Sequence, residues 1–216
     1  GPSGGGKTTA ASLVPRFWDA DSGSVLVGGV DVREMDPHVL MDDVAFVFQN
    51  NRLFKSSILE NVRVARPDAT REQVGEALSA AQCDDIIAKL PDGVDTIIGT
   101  RGTYLSGGEQ QRIMLARAIL KDAPIVVLDE ATAFADPENE RLIQGAFKRL
   151  AQGRTVIMVA HRLTTVVGAD KIVVLDHGHV VEQGSHAGLV ASGGLYARMW
   201  ADYQTAVSWK ISKGVA

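Results

Sequence analysis

The first eight residues, Gly-Pro-Ser-Gly-Gly-Gly-Lys-Thr, constrain the fold of this chain more than any other stretch. Gly1–Thr8 matches the pattern G-x-x-x-x-G-K-[ST], and a helical stretch, Thr9–Val14, follows it. Glycines let backbone N–H groups wrap around phosphates, because no Cβ atoms stand in the way. The pattern predicts a phosphate-binding loop, with Lys7 on the β- and γ-phosphates and the Thr8 hydroxyl on Mg²⁺. The alternative is a glycine-rich N-terminal tail.

The chain begins inside this loop, and the strand that should precede the loop is absent from the sequence. We therefore expect an upstream part that is missing from residues 1–216. We also expect these residues alone to be unstable, because the missing strand would lie at the centre of a sheet.

Composition excludes several classes of function. The chain has 216 residues, 45% of them hydrophobic, which suits one sizeable core or a core with a subdomain. A net charge of −4 does not suggest a basic surface for nucleic acid. The single cysteine, Cys83, rules out an internal disulfide and fits a reducing compartment. No apolar run approaches the roughly 18 residues of a membrane span.

An apolar run that ends in two carboxylates, Ile125–Glu130, predicts a parallel strand buried on both faces. In open α/β sheets, ligands bind at the carboxyl ends of the strands. Asp129 is therefore placed to bind Mg²⁺, directly or through water, and Glu130 to polarise a water for attack on a γ-phosphate. The alternative is a solvated strand end.

Two further apolar runs end in single polar residues. Gln49 follows Val44–Phe48, and His161 follows Thr155–Ala160. A lone glutamine or histidine at a strand end is more often structural than catalytic. Here three predicted strands each end in a polar residue, which favours polar groups gathered at one edge of the sheet.

The stretch Leu105–Gln110 predicts the start of a helix. Ser106 and Glu109 have the S-x-x-E spacing of a capping box, and a helical run, Gln111–Leu120, follows. Two glycines lie in the first turn, although a glycine costs a helix roughly 1 kcal/mol against alanine. A close approach of another group to this backbone would explain them, and a helix start is an anion site. The alternative is a capped helix with tolerated glycines.

The remaining pattern predicts further helices and strands. They are listed in chain order: short strands within Gly23–Val32, helices around Ile58–Val64 and Arg71–Leu90, a helix from Asp136-Pro137-Glu138 to Leu150, a hairpin of Lys171–Leu175 with Val180–Glu182, and a terminal helix over Leu195–Val207 with a frayed tail.

Together these motifs resemble the nucleotide-binding domain of ABC transporters, over nearly the whole chain. In family terms the matches are the Walker A loop (Gly1–Thr8), the Q-loop glutamine (Gln49), the signature (Leu105–Gln110), Walker B (Ile125–Asp129) with its catalytic glutamate (Glu130), the D-loop aspartate (Asp136) and the switch histidine (His161). The resemblance implies an α/β P-loop NTPase core, RecA-like, with a mainly parallel sheet and an inserted α-helical subdomain. It divides the chain into a core (1–49 and 121–195), a helical subdomain (50–120), and a C-terminal helix and tail (196–216).

The resemblance also implies ATP and Mg²⁺ as ligands and a role for each matching residue. ATP would contact Gly1, Pro2, Ser3, Gly4, Gly5, Gly6, Lys7, Thr8 and Thr9 and, from a facing domain, Ser106, Gly107, Gly108, Glu109 and Asp136. The metal would be held by Thr8, Gln49 and Asp129, and the catalytic residues would be Glu130, His161 and Gln49.

Two segments, Leu53–Asn61 and Leu90–Thr96, are similar to exporter-type members of the family. In those members the domain is fused behind six membrane helices and pairs head to tail with a second nucleotide-binding domain. The resemblance thus implies ATP-driven transport at the cytoplasmic face of a bacterial plasma membrane. The phrase Asp129–Asn139 is similar to actinobacterial members that take up iron-siderophores.

Other classes of ATPase remain as alternatives. A soluble ABC ATPase that acts on nucleic acid or ribosomes is the second hypothesis, but only about a hundred residues without heptads separate Lys7 from Ser106. A non-hydrolysing regulatory domain is the third, and it conflicts with the intact motif residues. A GTPase is disfavoured because no N-K-x-D motif is present.

Overall fold

The computed structural model describes residues 1–48, 53–99, 104–129, 137–160 and 162–212. Their helices are α1 (Lys7–Ser12), α2 (Pro37–Asp43), α3 (Ile58–Arg63), α4 (Arg71–Ala80), α5 (Asp84–Lys89), α6 (Gly107–Lys121), α7 (Pro137–Ala151), α8 (His186–Ala191) and α9 (Leu195–Ser212). Their strands are β1 (Leu26–Val27), β2 (Val30–Asp31), β3 (Val44–Val47), β4 (Ile125–Asp129), β5 (Thr155–Val159), β6 (Ile172–Asp176) and β7 (His179–Gly184). The chain forms two compact units, one of Ala11–Val159 and one of Gly1–Ala10 with Ala160–Ala216.

A parallel sheet of β3, β4 and β5, in that order, organises the larger unit. The middle strand, β4, is buried from Val126 to Asp129, as its apolar sequence predicts. Each parallel step needs a crossover, which is supplied by α3 to α6 between β3 and β4 and by α7 between β4 and β5. The mixed α/β fold with a parallel sheet is thus confirmed.

One apolar core joins the sheet of the larger unit to helices α3 to α7. Its buried members include side chains from the strands and from every one of these helices: Val47, Leu128, Ile58, Val74, Ile86, Ile113, Leu115 and Ile143. The helical region therefore shares its hydrophobic core with the sheet. The predicted division at residues 50 and 120 stays a prediction, as does the separate C-terminal segment from 196.

The predicted helix over Arg71–Leu90 is two helices. The capping box of Thr70 and Gln73 begins α4, which ends at Ala80. Gln82 then takes a left-handed backbone with φ 59°, which no α-helix continues. Cys83, which follows this break, is fully buried, and burial raises the pKa of its thiol to about 12.

Two helix ends also differ from the prediction. The first helix covers Lys7–Ser12 rather than Thr9–Val14, so it begins within the glycine-rich motif. The terminal helix reaches Ser212 instead of fraying after Val207. Among the helices in the resolved ranges, no stretch combines the length and apolarity that a bilayer crossing demands.

In the smaller unit, β6 and β7 form the predicted antiparallel hairpin through His177–Gly178. Glu182 of β7 accepts hydrogen bonds from the backbone N–H groups of Leu195 and Tyr196, at the start of α9. A carboxylate there compensates the helix dipole. The Tyr196 side chain is buried, and its hydroxyl lies 2.8 Å from Nδ1 of His186.

Candidate functional site

The glycine-rich loop Gly1–Thr8 adopts a conformation that depends on its glycines. Gly4 and Gly6 have φ values of +77° and +88°, in the left-handed region that residues with a Cβ rarely enter. The Gly5 N–H donates to the Pro2 carbonyl at 3.2 Å, which tightens the turn. The loop then runs into α1, where the Ala10 N–H donates to the Gly6 carbonyl.

The same loop packs against the β6–β7 hairpin of its own unit. A Cβ at Gly1 would overlap the carbonyl oxygen of Leu175, and a Cβ at Gly5 would lie 2.9 Å from it. The Gly5 carbonyl accepts a hydrogen bond from the Gly178 N–H at 3.2 Å. Backbone therefore packs directly on backbone, and this contact holds the loop in shape.

The Lys7 ammonium folds back over the loop. Its Nζ donates to the Gly1 carbonyl at 3.0 Å and to the Pro2 carbonyl at 2.6 Å. Both partners are neutral oxygens, and an anionic phosphate oxygen would attract the ammonium more strongly than either of them. A positive side chain over a glycine cradle fits a polyphosphate, as the sequence predicts.

The predicted metal ligand Asp129 ends the middle strand β4. Its register partner in β5 is Val159, and the preceding residue, Leu128, pairs with Val47 of β3. The carboxyl ends of the three strands therefore lie along one edge of the sheet. Asp129 is only 4% exposed, and carboxylate oxygen is the donor that Mg²⁺ prefers. This position fits the predicted magnesium ligand.

Four predicted site residues lie outside the described residues: Gln49, Glu130, Asp136 and His161. Their roles stay predictions. The elements beside them are present. Strands β3, β4 and β5 end shortly before Gln49, Glu130 and His161, and α7 begins directly after Asp136.

The signature segment forms the predicted capping box at the start of α6. The Ser106 hydroxyl accepts from the Glu109 backbone N–H at 3.2 Å, and Glu109 Oε2 accepts from the Ser106 N–H at 2.8 Å. The Gln110 side chain adds a bond of 2.9 Å to the Leu105 carbonyl. Each capping residue thus satisfies a backbone donor of the other.

One of the two signature glycines has a structural role that sequence reasoning missed. Gly108 is buried, and a Cβ there would lie 2.9 Å from both Cβ and Cγ of Asn139 in α7. Approach of a phosphate therefore need not explain this glycine, because α7 already excludes a side chain. Gly107, in contrast, is exposed.

We expect Gly108→Ala to destabilise the protein, because Cβ of Asn139 cannot rotate out of the way. Overpacking of this kind costs about 1–3 kcal/mol, and thermal unfolding would measure it. Gly75→Ala in α4 is the matched control, since nothing lies within 4 Å of its Cβ position. A Gly108→Ala protein at least as stable as Gly75→Ala would contradict the packing role.

A chain of charged groups beside the signature also escaped the sequence prediction. Lys89 of α5 donates to Glu109 Oε1 at 3.0 Å and lies 3.7 Å from Asp85. Asp85 in turn accepts two bonds, of 2.5 and 3.0 Å, from the Arg112 guanidinium, which is 1% exposed. The only sequence signal was the i,i+4 spacing of Asp85 and Lys89 on one helix face.

These contacts keep Glu109 ionised. Burial opposes the charge, but the hydrogen bonds from the Ser106 backbone and from Lys89 outweigh it, so the pKa of Glu109 lies below its usual value. The pKa of Lys89 is raised above its usual value, and the largest cause is its hydrogen bond to Glu109. Both partners are therefore charged at neutral pH.

A family model described as ABC transporter matches residues 1–133 of the chain. Over 200 residues the chain is 52% identical to the mycobactin import ATP-binding/permease protein IrtA of Mycobacterium tuberculosis, covering 93% of this chain and 23% of that protein. It is 50% identical to the ATP-dependent lipid A-core flippase of Burkholderia orbicola, covering 92% of this chain and 33% of that protein.

A solved structure gives the same match in three dimensions. The structure of a bacterial Atm1-family ABC exporter with ATP bound aligns with a TM-score of 0.87 at 42% sequence identity. The alignment covers 94% of this chain and 35% of that one. The chain therefore spans about a quarter to a third of the length of the proteins it matches.

Proposed function

This chain belongs to the ABC transporter family, and from that premise we propose that it is the ATPase domain of a half-transporter with a fused membrane domain. ATP hydrolysis on two such domains, paired head to tail, would drive a substrate across the membrane. The glycine cradle under the Lys7 ammonium carries the proposal, because it fits the phosphates of ATP.

Each motif has a part in the proposed reaction. The Gly1–Thr8 loop and Lys7 bind the ATP phosphates, while Glu130 orients and deprotonates the attacking water. His161 donates to the γ-phosphate as negative charge develops there.

Magnesium has a proposed set of ligands from three motifs. Thr8, Gln49 and Asp129 would hold the ion, and when bound it would neutralise charge on the phosphate oxygens. Oxygen donors of this kind suit a hard divalent cation.

The signature serves the second domain in this proposal. Ser106, Gly107 and Gly108, with Asp136, contact the ATP that the partner domain holds, and Glu109 caps the start of the helix that presents them. Neither domain then completes a site alone, so ATP binding and hydrolysis become signals for pairing and separation.

The soluble nucleic-acid or ribosome ATPase is not favoured. Two of the relatives are described as a permease and a flippase, which are membrane functions. We propose the cytoplasmic face of a bacterial plasma membrane as the location. The siderophore cargo stays a prediction, because identity to the importer and to the flippase is nearly equal.

Replacing Lys7 with Ala tests the proposed phosphate loop. We expect ATP affinity to fall about 100-fold, because charge-assisted bonds to phosphate are lost. Titration calorimetry on the full-length protein would measure it. Lys148→Ala, which removes an exposed lysine from α7, is the control and should bind ATP as wild type does. Equal affinities in the two variants would overturn the assignment of the loop.

A further inference from the structure

The start of α6 combines free donors with a negative charge. Once Ser106 and Glu109 have satisfied each other, the N–H groups of Gly107 and Gly108 are left, and no residue in the described ranges accepts from them. Such donors favour an anion. The Glu109 carboxylate lies in the same helical turn and would repel one.

Lys89 occupies the position that resolves this conflict. Both Glu109 oxygens are used, Oε2 by the Ser106 N–H and Oε1 by the Lys89 ammonium. The Glu109 side chain is 16% exposed, so solvent screens its charge little, whereas Lys89 is 62% exposed. The Lys89 ammonium therefore adds a positive charge to the compensation that the Ser106 N–H already gives this carboxylate.

The neighbouring charges hold Lys89 in place. Asp85, one helical turn earlier on α5, lies 3.7 Å from the Lys89 ammonium. Asp85 is itself fixed by the buried Arg112 of α6, the helix that carries Glu109. Two ion pairs, Lys89–Glu109 and Asp85–Arg112, thus join α5 to α6, and they hold Lys89 beside the signature.

We propose that Lys89 is a positioning residue for the signature: it neutralises Glu109, so that the start of α6 accepts the γ-phosphate held by the partner domain. This inference rests on the proposed function. It places the effect of Lys89 on the ATP-dependent pairing of two domains and not on ATP binding by the Gly1–Thr8 loop of the same chain.

Charge variants of Lys89 in the full-length protein test the proposal. With Lys89→Gln we expect KM for ATP hydrolysis to rise on the order of tenfold, which is less than two unscreened charges in contact would produce, because solvent and salt screen the exposed Lys89. Lys89→Arg keeps the charge and should keep the KM near wild type. Lys148→Gln, a charge-matched change on exposed α7 surface, is the control. ATP binding to the loop, measured separately by calorimetry, should match in all four proteins.

A double variant separates charge compensation from other roles of Lys89. The protein with both Glu109→Gln and Lys89→Gln should have the same KM as the protein with Glu109→Gln alone, because no carboxylate remains to neutralise. A persisting effect would mean that Lys89 acts directly on phosphate, and it would overturn the proposal. Equal KM values for Lys89→Gln and Lys148→Gln would overturn it as well. Absence of ATP hydrolysis by the wild-type protein would instead refute the proposed function.

Discussion

Replacing Glu130 with Gln is expected to stop ATP turnover while ATP binding survives. The amide has the size of the carboxylate, but it cannot accept a proton from the attacking water. A general base contributes about 100- to 10,000-fold to rate, so turnover should fall by that factor. Release of phosphate from the full-length protein would measure turnover, and calorimetry would measure binding.

A matched substitution controls for the lost charge. Glu76 lies on the exposed surface of α4, and Glu76→Gln should leave turnover unchanged. If Glu130→Gln turned over ATP as fast as Glu76→Gln, the role of Glu130 as the base would be wrong. If Glu130→Gln lost ATP binding too, the effect would be one on binding rather than on catalysis.

Replacing Asp85 with Ala should produce a large loss of stability. The Arg112 guanidinium is 1% exposed and bonds to both Asp85 oxygens, so the change leaves a buried cation without its anion. Breaking a buried pair costs about 3–5 kcal/mol. Asp85 itself is 44% exposed and Arg112 keeps the Gln82 carbonyl, so we expect about 2–3 kcal/mol after allowing for solvent screening.

The adjacent aspartate provides the control for that experiment. Asp84 also lies in the first turn of α5, where a negative charge stabilises the helix by about 0.3–1 kcal/mol. Within the part of the chain that the structure describes, its side chain accepts one hydrogen bond, of 3.2 Å, from the Ser79 hydroxyl. Asp84→Ala should therefore lower Tm much less than Asp85→Ala, whose fall we put at roughly 5–10 °C. Equal shifts would show that Arg112 does not depend on Asp85.

The strands and caps were predictable because each depends on nearby residues. A short apolar run such as Ile125–Asp129 favours a buried strand, and the spacing of Ser106 and Glu109 brings their bonding groups together within one turn. The break between α4 and α5 was missed because Gln82 carries no breaker signal, although its φ is 59°.

Contacts between distant parts of the chain escaped the sequence analysis. Lys89 and Glu109 are separated by 20 residues, and Asn139 lies on a different helix from Gly108. Packing of α5 and α7 on α6 brings these pairs together. The residue pattern within one helix does not indicate which other helix will pack against it.

The sequence by itself determined the caps and buried strands and predicted the phosphate chemistry, because these features depend on residue type and local spacing. Only the tertiary structure decided which of those residues share an environment. It assigned Gly108 to the packing of α7 and gave Glu109 a cation from α5, since burial and charge pairing arise only once distant segments meet.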